Sequence, residues 1–197
     1  MSQSIHHSFI GDIHQPLHSA RASDKGGNDI HVKFESFKEP SPHASRSSTF
    51  FQHSWNLHAV WDTGIIEQAM ERSYNGSRTL FEQSLSAASR SAAFARDMEY
   101  WLECSDGMNR SCTEQWGEES FQAALEWAYR NFDDDEVVNG SELGEAYYET
   151  RLLVVEHRII AAGVRLAATL EKVLFPFHQM IPPHFFSLPS APTESYV

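Results

Sequence analysis

Basic residues are scarce in this chain: 15 Lys and Arg stand against 27 Asp and Glu over 197 residues, a formal net charge of −12. That balance excludes nucleic-acid binding by broad phosphate neutralisation, which needs a Lys/Arg surface. It does not exclude an enzyme acting on nucleic acid, because bound divalent cations reverse the local field. Long apolar runs are also missing. The tail after Phe175, "PFHQMIPPHFFSLPSAPTESYV", is too short and too often broken by proline to span a membrane. The opening "MSQSIHHSFIGD" has neither the basic n-region nor the apolar h-region of a signal peptide. Cysteine is nearly absent. Its two copies, Cys104 and Cys112 in "ECSDGMNRSC", suit a disulfide closing a short loop between helices, with two reduced thiols as the alternative. Strand pattern is almost absent, and there are no internal repeats.

What is present describes one globular domain with a real core, which at this length needs no staple. Hydrophobic residues make up 41% and aromatics are plentiful. Three sequons, at Asn75, Asn109 and Asn139, each fall in a stretch that reads as loop. They point to a secreted or endomembrane/vacuolar glycoprotein. Residues 6–14 read as the end of a helix broken at Pro16. A turn at Gly26-Gly27 and a short extended piece over Ile30 to Phe34 follow. Residues 36–54, rich in Ser and Pro without apolar period, read as a mobile loop.

Helical pattern resumes from Asn56 to about Ser73. A second helix is expected over Arg78 to Glu103, with Leu80, Leu85, Ala88, Ala92, Ala95 and Tyr100 as core positions. A third opens on Thr113 as N-cap. The longest runs from about Leu143 to Leu174, where Tyr148, Leu152, Val155, Ile159, Ala162, Leu166, Leu170 and Val173 recur at three- and four-residue steps. "DDDE" at 133–136 reads as a solvated acidic loop, since it lacks the alternating ligands and central Gly of a calcium loop. The expected organisation is an all-α helical bundle domain over 6–175, followed by a Pro-rich, disordered tail at 176–197.

Eleven histidines stand out. In "NLHAVWD", His58 and Asp62 are four apart on a helix, so both leave one face. Imidazole nitrogen and carboxylate oxygen together suit zinc. The bland alternative is an exposed pair adding a few tenths of a kcal/mol to the helix. "GDIHQPLH" adds Asp12, His14 and His18 where Pro16 ends a helix. With His18 as third ligand, His18–His58–Asp62 has the three protein ligands of a catalytic zinc site. Spacing alone does not bring the two segments together.

The ordered block G-D-x-x-Q-P-L-H, then G-G-N, then N-L-H-x-x-W-D resembles the zinc-dependent single-strand nucleases of fungi and plants (S-one/P-one type), relatives of zinc-dependent phospholipase C. The resemblance covers about Phe9 to Leu174, through "YWLEC" and "YYETRLLVVEHRIIAAGVRLAATL". It implies a helical domain with three zinc ions in a cleft. His18, His58 and Asp62 match the ligands of one zinc, and Asp12 matches the aspartate that bridges the other two. Asn28 matches a nucleobase-binding amide, with Gly26 and Gly27 letting backbone approach the base. His14 has no ligand role there and is expected at the surface or behind the ligands, and Trp61 packs beside the site. The implied reaction is hydrolysis of single-stranded DNA and RNA to 5′-nucleotides, with 3′-nucleotidase activity, zinc activating the water and polarising the phosphoryl group.

Two departures bear on that expectation. Four ligands from the family's N-terminal half, and a basic nucleotide contact there, have no counterpart, so the chain reads as the C-terminal two-thirds of such a nuclease. Ser8 stands where the family has a histidine four residues before Asp12, and His7 is rotated about 100° from that position. An inactive truncated member binding one zinc is therefore one alternative reading, and a phospholipase C-like hydrolase is another. "GGN" favours nucleotides over lipid.

Overall fold

The computed structural model describes residues 9–34, 54–103 and 111–175. The first helix, α1, covers 9–14 of these and stops before Pro16, which lacks the N–H that a continuing helix needs. Two 3-10 turns follow, Pro16–Ser19 and Ala22–Asp24.

α2 is a continuous helix in three pieces. Leu57–Ala59 leads into a π turn at Val60–Gly64 and then Ile65–Tyr74. Its N-cap is Asn56, whose side-chain oxygen accepts from the Ala59 N–H at 2.7 Å. The expected long helix from Arg78 is broken into α3, Arg78–Ala88, and α4, Ala95–Leu102, with a 3-10 turn Ala92–Phe94 between. The break shifts the buried register. Phe81, Leu85 and Trp101 face the core, whereas Leu80 and Tyr100 are each 49% exposed and Ala92 and Ala95 face solvent.

α5, Cys112–Ala123, continues as a π turn Ala124–Ala128. Its N-cap is Ser111 rather than Thr113, because Ser111 and Glu114 form a reciprocal capping box. α6 spans Glu145–Leu174 and starts two residues later than the sequence pattern indicates. Leu143 belongs instead to a small sheet. Its strands are β1, His31–Phe34, β2, Ser54–Asn56, and β3, Glu142–Leu143, in the order β2-β1-β3. β1 pairs antiparallel to β2 (His31 with Asn56) and parallel to β3 (Lys33 with Glu142). The fold is thus mostly helical with three short strands.

Two apolar clusters flank α6. The larger joins Leu17, Phe34, Leu57, Trp61, Tyr129 and Tyr147 under the sheet, and the smaller joins Ala69, Phe81, Trp101 and Ile160. Trp61 is 1% exposed and donates from Nε1 to the Tyr147 hydroxyl at 2.9 Å. That bond removes the penalty of burying an indole N–H.

The apolar stripe read along α6 is only part of its buried face. Arg151, Arg158 and Arg165, spaced by seven, are buried on it as well, while Val173 is 67% exposed. Residues 176–197, residues 36–53 of the expected loop, Ser8, Cys104 and Asn109 lie outside the described residues, while Ser54, expected to close that loop, begins β2. Cys112 is disulfide-bonded. Among the described residues no helix is long and apolar enough to cross a membrane.

Candidate metal centre

The turn that ends α1 brings its second histidine to the first turn of α2. His18, His58 and Asp62 each offer a ligand atom, and these atoms lie within 4.8 Å of one another. His18 Nε2 is 3.1 Å from Asp62 Oδ1, and His58 Nε2 is 3.3 Å from Asp62 Oδ2. The two imidazoles stack with centroids 4.9 Å apart. The three side chains are 23%, 19% and 36% exposed, so the group opens to solvent at the protein surface.

The opposite nitrogens are occupied. His58 Nδ1 donates to the Gly26 carbonyl at 2.7 Å, and His18 Nδ1 lies 3.0 Å from the Asp12 carbonyl. Backbone carbonyls there hold each Nδ1 as a donor and turn each Nε2 toward Asp62, the face a metal would share. Asp12 also brings Oδ1 to 3.0 Å from His18 Nδ1. Its carboxylate therefore sits behind His18 and outside the three-ligand group. A donor set of two imidazole Nε2 atoms and one carboxylate fits a borderline cation such as zinc.

Gln15, which sequence reading passed over, takes part directly. Its amide Nε2 donates to Asp62 Oδ1 at 2.6 Å, while its Oε1 accepts the Leu17 N–H and caps the 3-10 turn. One side chain thereby locks the turn carrying His18 to the carboxylate it faces. Partial burial alone would push the Asp62 carboxyl up, but hydrogen bonds from His18 and Gln15 and the charge of His58 hold it below its usual value. The hydrogen bond to Asp62 raises His18, against the opposing effect of burial.

The glycine turn serves this geometry as well as any ligand. Gly26 has φ +63°, and a Cβ there would come 2.3 Å from the Leu17 carbonyl oxygen. Only glycine lets the Gly26 carbonyl reach His58. Gly27, also at positive φ, donates to Asp24 Oδ1 at 2.7 Å. Both glycines are buried, and Asn28 is exposed. The Asn28 amide donates to the Lys25 carbonyl at 2.9 Å, and its oxygen accepts from Asn56 Nδ2 at 3.4 Å. Beside the group lies a cavity of about 440 Å³, lined among others by Asp12, His18, His58, Gly26, Arg21 and Lys25.

His14 is not at the surface. It is 2% exposed. Its Nδ1 donates to the Ile10 carbonyl at 2.7 Å, and its Nε2 faces Arg165 Nη1 at 2.9 Å. Glu119 answers Arg165 at 2.6 and 2.8 Å and Arg158 at 3.0 Å. Arg158 Nε also donates to the His14 carbonyl at 3.1 Å. This charged knot lies directly behind the turn that carries His18. The Arg158/Arg165 spacing on α6 was its only trace in the sequence. Asn75 and Asn139 are exposed, and the Asn139 side-chain oxygen accepts from the His31 N–H at 2.7 Å.

Comparison with known proteins shows the family. A sequence model of the S1/P1 Nuclease family matches residues 2–175. Endonuclease 1 of Arabidopsis thaliana is 34% identical over 170 residues, covering 86% of this chain and 48% of its own length. Endonuclease 4 of the same plant is 36% identical over 166 residues, covering 84% and 48%. Nuclease S1 of Aspergillus oryzae is 26% identical over 168 residues, covering 84% and 51%. The chain thus spans about half the length of the curated relatives it matches.

Proposed function

The chain belongs to the S1/P1 nuclease family, and from that premise we propose that it is a zinc-dependent endonuclease. It hydrolyses phosphodiester bonds of single-stranded DNA and RNA to 5′-nucleotides, and it also removes 3′-phosphates from nucleotides. The observation that carries this reading is the meeting of His18, His58 and Asp62 from two separate segments, with each histidine's Nδ1 already bonded to a backbone carbonyl. Zinc held by these three residues supplies Lewis acidity toward a phosphoryl oxygen and acidifies water. The protein's own part is orientation. Gln15 and the two carbonyls hold the ligands in place, so little ordering is left for binding. Asn28, exposed one residue after the glycine pair, has an amide able to donate to and accept from the edge of an unpaired base. A paired, stacked base cannot present that edge, which accounts for single-strand preference. The same reading places the protein in the secretory route, with Asn75 and Asn139 exposed for glycosylation and Cys104–Cys112 as the disulfide.

One observation favours a second reading, a one-zinc protein without hydrolytic activity. The Asp12 carboxylate, expected to bridge two further zinc ions, is paired with His18 Nδ1 at 3.0 Å. Zinc per chain, measured after chelation and reloading and paired with a single-stranded DNA assay, separates the two. Bound zinc that disappears in His58→Ala together with DNA hydrolysis supports the nuclease. Bound zinc without hydrolysis supports the second reading, and absence of zinc from the wild type overturns both.

A further inference from the structure

The cavity beside the ligands has a second feature. In a chain of net charge −12, the Lys and Arg side chains lining it are Arg21 and Lys25. Both are set by the loop that orients His58. The Gly26 N–H donates to the Arg21 carbonyl at 2.9 Å, and the Lys25 N–H donates to Ala22. The closed turn puts the two cations four residues apart on one wall, joined through Gly26 to His58.

Neither cation is spent on the ligand group. Arg21 lies over the Tyr129 ring, 4.3 Å from its centroid, and donates from Nη1 to Glu136 at 2.6 Å. Stacking and pairing fix the guanidinium while its Nε and Nη2 donors stay available for another acceptor. Lys25 meets Asp29 at 2.9 Å with its side chain 73% exposed, a weak surface pair that a phosphate can displace.

We propose that Arg21 and Lys25 form a cationic ledge holding the phosphate next to the one at the His18–His58–Asp62 group, so that the cleft selects an oligonucleotide over a mononucleotide. This rests on the nuclease reading. A polyanion approaching a strongly acidic protein meets long-range repulsion, and local cations at the cleft offset it. The Arg21 and Lys25 side chains contact Glu136, Tyr129 and Asp29 and none of the three ligand side chains, so replacing them acts on strand binding and not on metal retention.

The test compares wild type, Lys25→Gln, Lys25→Arg, Arg21→Gln and the double glutamine variant, each reloaded with zinc. The readouts are zinc per chain and the salt-dependent affinity for an end-labelled phosphorothioate oligothymidylate, with thymidine 5′-monophosphate as the mononucleotide control. Each glutamine should weaken oligonucleotide binding by roughly three- to fivefold at low salt, and lower the slope of log affinity against log salt by about 0.7. Lys25→Arg should restore both, and neither zinc content nor mononucleotide affinity should move. Glu136→Ala, which frees Arg21 from its partner, should tighten oligonucleotide binding. Unchanged affinity and slope in the double variant with zinc retained overturns the ledge while leaving the metal centre standing. Equal loss of mononucleotide and oligonucleotide overturns the assignment to a neighbouring phosphate. A wild type that takes up no zinc removes the reading on which the ledge rests, and the ledge falls with it.

Discussion

His14 and His18 are four residues apart in "HQPLH" and have opposite lives. His18 stands at the surface with its Nε2 toward a carboxylate, and His14 is buried with its Nε2 toward a guanidinium. An opposing carboxylate favours protonation, and His18 is raised accordingly. An opposing cation and burial forbid it. Burial, with the Arg158 and Arg165 charges, lowers His14 to about 4 despite the bond to Ile10 and the charge of Glu119. The hydrogen bonds agree, since only the neutral Nδ1–H tautomer can both donate to Ile10 and accept from Arg165. Residue type thus does not decide role here. One region holds exposed groups ready for a ligand, and the other holds buried charge that must stay matched.

The contrast is broken most severely from the buried side. Glu119→Ala leaves Arg158 and Arg165, whose side chains are 8% and 0% exposed, without their carboxylate. Such an uncompensated buried charge costs about 3–5 kcal/mol, to be read as a lowered urea midpoint. By comparison, His58→Ala should remove zinc while moving the zinc-free midpoint by less than about 1 kcal/mol, because its ion pair is a partly exposed surface one.

Acid gives the next largest effect, and its sign follows from linkage. His14 is neutral in both states above its ordinary 6.5. Below that, the unfolded chain takes the proton while the folded chain refuses it until about pH 4. The unfolded state therefore binds more protons, and stability falls as pH drops from 6.5 to 4, by on the order of 3 kcal/mol. Burial opposes ionisation of Glu119, but Arg165 and Arg158 outweigh it and hold the carboxyl at about 2, below its ordinary 4.5. Its stabilising contribution is lost in turn as pH falls from 4.5 through 2. His14→Gln, which keeps an acceptor for Arg165, should flatten the upper limb of a stability–pH profile and leave the lower one. A profile flat between pH 7 and 4 in the wild type would show that His14 takes up its proton alike in the folded and unfolded chain, and would overturn the contrast.

The smallest effect sharpens the exposed side. Gln15→Leu removes the amide that holds Asp62. It should weaken zinc binding by about 10–100-fold, read by competition with a chromophoric chelator. The urea midpoint of the zinc-free protein should change by less than about 1 kcal/mol, the scale of one lost turn cap.

Much of the fold was legible because its signals are local. Pro16 ends α1, Asn56 caps α2, and apolar spacing marks α6. The break between α3 and α4 was not legible, since the alanines and serines that flank Arg90 over 86–93 suit helix and turn alike and packing of Phe94 and Trp101 decides between them. β3 was hidden too. Two residues carry no period, and they become a strand only because β1 offers an unpaired edge. Of the candidate ligands, His58 and Asp62 could be paired from helical spacing alone, whereas Gln15 could not be given a task, because its partner lies 47 residues away.

By itself the sequence determined which chemistry this protein can attempt. Two short segments carry imidazole and carboxylate groups, a proline fixes the turn between helix and ligand, and glycine stands where backbone must pass closest. Tertiary structure alone decided which histidine serves. Closing α1 onto α5 and α6 drives His14 under two arginines and leaves His18 in solvent opposite Asp62. Burial and the sign of the nearest charge are properties of the packed chain, and they separate two residues that local sequence treats alike.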